Sequence, residues 1–136
     1  MPKRSRRAAP SVLSAKQYRQ TGSEHSLQVS VLEYLALNAK PHAFWFAIPN
    51  AGKRSWRVAA RMKAEGMQAG VSDLCIMLPG GGVLWLELKI GNEKQSDEQL
   101  VFERVCQILD HPYRVIRTLD EAISFLRYHG ALKETA

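Results

Sequence analysis

Two apolar runs joined by a glycine-rich turn constrain the fold of this chain more than any other feature. The runs cover residues 70–78 and 83–90, and between them stand Pro79 and three consecutive glycines. Glycine supplies the positive φ that a tight turn requires, so the pattern predicts a β-hairpin. Apolar runs of this length are typical of strands that lie buried in a sheet.

Three charged residues interrupt these apolar strands. Asp73 stands at the start of the first strand, and Glu87 and Lys89 stand near the end of the second. An unpaired charge at the rim of a sheet core costs free energy. We therefore predict that these three side chains serve chemistry. The alternative is a salt-bridge cluster at the sheet edge in which Lys89 neutralises both acids.

The turn fixes which residues of the two strands face each other. Pairing Leu78 with Gly82 around a three-residue loop sets Asp73 opposite Glu87. Opposed residues share a face of the sheet, with Cβ atoms about 5 Å apart, which is close enough for both carboxylates to hold one divalent cation. Lys89 points the same way. The residues expected to point the other way, into a core, are Leu84, Leu86, Leu88 and Ile90.

The remaining chain predicts a mixed α/β domain. Helical periodicity covers residues 23–39, 55–65 and 96–109, a last helix follows Thr118, and short strands are expected at 43–48 and 113–117. The order predicts a small mixed sheet flanked by helices over residues 23–130, with a short polar tail at 131–136. In the helix at 96–109 we expect an inward-facing apolar set of Leu100, Val101, Val105, Ile108 and Leu109.

The positive charge of the chain is concentrated at its N-terminus. The 136 residues carry a net charge of +6. The basic residues that precede the first acid, Glu24, are Lys3, Arg4, Arg6, Arg7, Lys16 and Arg19. We expect residues 1–22 to form a flexible arm that contacts nucleic-acid phosphates, with a merely solubilising tail as the alternative.

A second basic stretch lies inside the domain. Between Tyr34 and Ala64 only Lys and Arg carry charge. Arg57 and Arg61 fall on one face of the helix predicted at 55–65, and a one-signed face favours phosphate binding over a solvated surface. The loop before that helix supplies further candidates for DNA contact, namely Asn50, Lys53 and Arg54.

No segment has the composition of a signal peptide or the length of a membrane span. The two cysteines, Cys75 and Cys106, lack the spacing of metal ligands. We therefore expect a cytoplasmic protein without a membrane partner and without a small organic cofactor.

The ordered set of polar residues resembles the VRR-NUC domain of the PD-(D/E)xK nuclease superfamily, over about residues 24–129. The residues that carry the resemblance are Glu24, Gln28, Gly70-Val71-Ser72-Asp73-Leu74, Glu87-Leu88-Lys89, Gly91, Ser96 and Gln99. Ser72 departs from the pattern, because the superfamily usually has proline before the aspartate. The resemblance implies a restriction-endonuclease-like core.

The resemblance also implies the chemistry of the site. Asp73, Glu87 and the backbone carbonyl of Leu88 would hold Mg²⁺ or Mn²⁺, with Glu24 joining directly or through water. Lys89 would orient or help to deprotonate the attacking water, and Gln99 would support it. Both Glu24 and Gln99 have a simpler interpretation, since each stands third after a Thr or Ser in a capping-box pattern.

The same resemblance implies that the chain would be a stand-alone endonuclease that hydrolyses phosphodiesters in branched DNA, such as four-way (Holliday) junctions. The products would be a 5′-phosphate and a 3′-hydroxyl. A homodimer would bring two active sites to two strands. The alternative function is a noncatalytic nucleic-acid-binding module with the same fold, whose binding would be indifferent to divalent metal.

Overall fold

Residues 23–49 and 55–134, which the computed structural model describes, alternate between helices and strands. The elements are α1 (Glu24–Asn38), β1 (Phe44–Ala47), α2 (Trp56–Ala64), β2 (Leu74–Met77), β3 (Val83–Leu88), α3 (Asp97–Ile108), β4 (Tyr113–Ile116) and α4 (Leu119–Tyr128). This order confirms the predicted α/β domain with one small sheet.

The four strands pair in the order β1-β2-β3-β4. The first two pairings are antiparallel, whereas β3 and β4 run parallel. A parallel pair needs a crossover, and α3 provides it. Mixed pairing therefore follows directly from one tight hairpin followed by one helical connection.

The predicted hairpin register is correct. Leu74 lies opposite Leu86 and Met77 lies opposite Val83. At the turn, the N–H of Leu78 donates to the carbonyl of Gly82 at 2.7 Å. Extending this register by one residue beyond β2 sets Asp73 opposite Glu87, as the turn predicts.

One face of the sheet is the core of the domain. The inward side chains of β3 are at most 1% exposed, and they pack with buried leucines and valines of α1 and α4. The largest buried members are Leu35, Leu74, Ile76, Leu84, Leu86, Leu88, Ile116 and Leu126. This packing confirms the predicted inward direction of the leucines of β3.

The opposite face of the sheet is covered only in part. Phe102 of α3 lies edge-on to Trp85 at a centroid distance of 5.3 Å and to Tyr113 at 5.9 Å. Over β1 and β2 the same face stays open, with Phe44 63% exposed and Met77 48% exposed. The helix therefore shields the β3–β4 half, which is the half that carries Glu87.

The predicted inward face of α3 is wrong. The members of the predicted set are exposed by 47% (Leu100), 64% (Val101), 42% (Val105), 67% (Ile108) and 63% (Leu109). The sheet instead receives Cys106 and Phe102. Apolar residues occur on more than one side of this helix, so periodicity alone does not decide which side packs.

The helix caps decide between the alternatives for Glu24. Ser23 is the N-cap of α1, and it forms a capping box with Ser26. Glu24 is therefore the first helical residue and not the third, so the capping-box interpretation of Glu24 is wrong. Its carboxylate is free to face the end of the sheet. Thr21 lies outside the described residues.

The loop before Asp73 is pressed against the start of α3. Gly70 has φ +82°, and a Cβ there would overlap the Glu98 carbonyl and lie 2.7 Å from the Gln99 nitrogen. Both the left-handed backbone and the close approach require glycine. This contact sets the distance between the start of β2 and the start of α3.

We predict that Gly70→Ala lowers the free energy of unfolding by about 3 kcal/mol, since it adds overpacking to a left-handed backbone. Gly66→Ala is the matched control, because Gly66 has φ +99° and no atom within 4 Å of an added Cβ. Urea unfolding monitored by circular dichroism measures both variants. Equal losses would contradict a role for the close approach.

Candidate active site

Four elements bring their polar residues together at one end of the sheet. Asp73 immediately precedes β2, Glu87 lies in β3, Glu24 opens α1 and Gln99 lies in the first turn of α3. Lys89 follows β3, and its N–H donates to the Ile116 carbonyl at 3.0 Å. The predicted catalytic residues therefore converge, although they are separated by up to 75 positions in the chain.

Asp73 is fixed across the hairpin by the backbone of β3. Its Oδ2 accepts a hydrogen bond from the N–H of Leu88 at 2.7 Å. Such charge-assisted bonds are short and strong. The contact holds the carboxylate of Asp73 beside the neighbouring residue, Glu87. Ser72, which precedes Asp73, is fully buried, and its Oγ has no hydrogen-bond partner within the described part of the chain.

Glu87 is the most unusual group of the site. Its side chain is 1% exposed. Oε1 accepts a hydrogen bond from Nε2 of Gln99 at 2.9 Å, whereas no donor among the described residues reaches Oε2. Burial, and then the charge and hydrogen bond of Asp73, raise the pKa of Glu87 to about 9, against the opposing effect of Lys89. Without a cation, Glu87 therefore holds a proton at neutral pH.

Gln99 forms the predicted capping box and also contacts an acid of the site. Its Oε1 accepts from the N–H of Ser96 at 2.8 Å, which completes a capping box at the start of α3. Its Nε2 donates to Glu87. The amide therefore orients Glu87 rather than Lys89, and the cap holds the amide in place.

Lys89 is buried beside the acids without a direct ionic partner among them. It is 7% exposed, and its charge lowers the pKa of both Glu24 and Glu87. Between described residues, ion pairing is confined to Arg61 and Glu65. A structural salt-bridge cluster would place Lys89 in contact with Asp73 or Glu87, so this arrangement disfavours that alternative.

Sequence reasoning missed one acid of the site, Glu93. Burial, followed by the hydrogen bond and charge of Glu93, raises the pKa of Glu24 to about 7. The hydrogen bond with Glu24 lowers the pKa of Glu93, whose Oε2 also accepts from the N–H of Ile90 at 3.5 Å. The position of Glu93 in the sequence could have indicated this role. Glu93 lies in the short loop that joins β3 to α3, and both of these elements carry site residues.

The side chains fit a hard divalent cation by their chemistry. Asp73, Glu87 and Glu24 offer carboxylate oxygens, and the buried Oε2 of Glu87 has no donor to satisfy it. Within residues 23–49 and 55–134, no three acidic, histidine or cysteine side chains already form a ligand cluster. Mg²⁺ does not require three protein ligands, since it binds through one or two carboxylates and keeps several waters.

The structure describes only some of the candidate DNA-binding residues. Arg57 and Arg61 lie on the exposed surface of α2, where Nε of Arg61 donates to Glu65 at 3.0 Å. The candidates that lie outside the described residues are Lys3, Arg4, Arg6, Arg7, Asn50, Lys53 and Arg54. Their DNA contacts stay predictions. Among the described helices, none is long and apolar enough to cross a bilayer.

Comparison with known proteins supports the fold. No protein-family model matches the sequence, and no curated protein matches it. A solved structure described as a VRR_NUC domain superimposes on 78% of this chain and 95% of its own, with a TM-score of 0.56 and 19% sequence identity. The chain therefore has the fold of a VRR-NUC domain, with a restriction-endonuclease-like arrangement of its sheet and helices.

We predict that Glu87→Gln stabilises the metal-free protein at neutral pH. Unfolded Glu87 ionises above its ordinary pKa of 4.5, whereas the folded protein keeps the proton up to about pH 9. Between these values the unfolded state binds fewer protons, so the free energy of unfolding falls as pH rises. Glutamine cannot ionise, and the gain at pH 7 should be on the order of 3 kcal/mol.

Urea unfolding in chelator at pH 4 and pH 7 measures this gain, which should nearly vanish at pH 4. Glu134→Gln, which removes an exposed carboxylate, is the matched control and should change little. A gain of the same size at both pH values would show that Glu87 does not hold a proton in the folded state.

Proposed function

We propose that this chain is a divalent-metal-dependent endodeoxyribonuclease that acts on branched DNA in the cytoplasm. One observation carries the proposal, namely the buried Glu87 that faces Asp73, is oriented by Gln99 and has one oxygen that no donor of the described residues reaches. Burying such a group costs free energy, and the fold supports it with a dedicated hydrogen bond on each carboxylate. A binding surface for phosphates would need cations there, not acids.

Asp73, Glu87 and the backbone carbonyl of Leu88 would hold Mg²⁺ or Mn²⁺, with Glu24 joining directly or through water. When bound, the ion supplies a lowered pKa for a water molecule and neutralises charge that develops on the phosphate oxygens. The protein places its own groups for this task. The Leu88 N–H holds Asp73 and the Gln99 amide holds Glu87, so neither carboxylate has to be ordered when the cation arrives.

Lys89 is the group proposed to act on the attacking water. Its side chain is buried next to Glu87 and is not neutralised by a direct ion pair with the site acids. It can therefore orient the water, help to remove its proton and stabilise negative charge on the scissile phosphate. In-line attack on phosphorus would leave a 5′-phosphate and a 3′-hydroxyl.

We predict that Lys89→Ala lowers the single-turnover cleavage rate at least about a hundredfold, which is the usual contribution of a positioned proton-transfer group. Labelled linear, flapped and four-way-junction DNA are incubated with Mg²⁺, Mn²⁺ or chelator. Lys133→Ala is the matched control, because Lys133 is an exposed lysine after α4. Cleavage by Lys89→Ala at the parental rate would refute the proposed role of Lys89.

The same experiment tests the alternative function. Metal-independent DNA binding by the parent, without cleavage of any of the three substrates in either metal, would indicate a noncatalytic nucleic-acid-binding module. The intact set of Asp73, Glu87 and Lys89 at one buried site favours the enzyme.

We also propose that the active form is a homodimer, and the exposed face of α3 supports this. Val101, Val105 and Ile108 follow one another at spacings of four and three residues and are 64%, 42% and 67% exposed. This spacing is typical of a helix that packs against another helix. A second copy of the chain would cover the stripe and supply a second active site for the opposite DNA strand.

We predict that the pair of substitutions Val101→Lys and Ile108→Lys weakens dimerisation by about a hundredfold, because lysine is costly to bury at an apolar interface. Light scattering across a concentration series measures the mass. Leu37→Lys, at a 76% exposed position of α1, is the control and should stay dimeric. A parent that is monomeric at all concentrations would refute the dimer.

A further inference from the structure

Trp56 is exposed without a structural reason. It is the first residue of α2 and is 76% exposed, and α2 buries none of its residues. The other tryptophans contribute to packing, since Trp45 lies against the core and Trp85 contacts Phe102. An indole that is 76% exposed adds little to stability, so its surface is available for a ligand.

The charge around Trp56 is positive. The guanidinium of Arg57 lies 5.6 Å from the centroid of the indole, and Lys63 stands later on the same helix. The acid nearest in sequence, Glu65, is engaged by Arg61. An exposed ring among cations suits a ligand that combines a flat π-surface with negative charge. A nucleotide in a single strand has both.

The chain is anchored near the candidate active site both before and after α2. Before α2, the N–H of Ile48 donates to the carbonyl of Asp73 at 2.8 Å. After α2, Gly70 packs against the backbone of Glu98 and Gln99. Residues 49–69 therefore leave the sheet beside Asp73 and return three positions before it. Helix α2 lies between these two anchors in the chain, and with nine residues it is about 13 Å long.

Paired and unpaired bases differ in what they offer to such a ring. In a duplex both faces of each base are covered by its neighbours, whereas a base at a branch or in a single strand has a free face. Stacking on an aromatic side chain is tolerant of sequence but needs that free face. Trp56 can therefore distinguish branched from fully paired DNA without reading any base.

We infer that Trp56 and Arg57 form a stacking site for an unpaired base, with the indole contacting the base and the guanidinium contacting the flanking phosphate. The inference rests on the proposed nuclease function, because it explains how that site selects branched DNA. It adds a specificity determinant that lies outside the acidic cluster.

The test compares Trp56→Ala, Trp56→Phe and the control Tyr128→Ala, which removes an 85% exposed aromatic ring from α4. Binding is measured in chelator, by anisotropy, to flapped DNA and to a fully paired duplex of equal length. A fluorescent 2-aminopurine at the unpaired position reports stacking directly. Cleavage of the same two substrates is measured in Mg²⁺ or Mn²⁺.

We expect Trp56→Ala to bind flapped DNA about tenfold more weakly, which corresponds to one lost stacking contact, and to bind the duplex as the parent does. The parent should quench 2-aminopurine, Trp56→Phe should retain most of the quenching and Tyr128→Ala should retain all of it. The preference for flapped over paired DNA in cleavage should fall by a similar factor.

Equal losses on flapped and paired DNA, or an effect of Tyr128→Ala as large as that of Trp56→Ala, would overturn the inference. So would a change of oligomeric state in Trp56→Ala, since Trp56 would then be a protein contact. A parent that binds and quenches but never cuts would refute the proposed enzyme while the stacking site stands.

Discussion

The placement of a half-buried Asp73 beside the buried Glu87 is the interaction on which the rest of the structure depends. Two carboxylates placed across a hairpin repel each other, and burial removes the water that would otherwise stabilise their charge. The protein meets this cost with a backbone N–H on Asp73, an amide on Glu87 and a proton that Glu87 keeps up to about pH 9. Such a site is unfavourable for folding alone, which is why its presence points to a cation and to chemistry.

Helix α3 connects this acid pair to the surface of the molecule. Its first turn carries Gln99 and receives the close approach of Gly70. Its middle covers the sheet through Phe102, and its outer side leaves Val101 and Ile108 exposed. One rigid element therefore orients Glu87 and presents the surface proposed for a second copy.

Helix α2 has the opposite character. It buries none of its residues, yet Ile48 before it and Gly70 after it are held at the end of the sheet that carries Asp73. The two kinds of site need different environments. The acids require a dry and rigid environment, whereas contact with DNA requires exposed cations and an exposed ring. Placing the two proposed functions on separate elements would let the acids stay buried while α2 meets the nucleic acid.

The sequence by itself determined what depends on local geometry. Turn length and strand alternation set the hairpin register, and Ser96 with Gln99 specified the cap of α3. The tertiary structure decided what depends on how elements meet. Only packing shows that α3 turns Cys106 rather than its larger apolar residues to the sheet, because that helix is apolar on several sides. Only packing brings Glu93 to Glu24, since their contact joins a loop and a helix that are distant in the chain. The protonation of Glu87 likewise follows from burial, which no spacing along the chain encodes.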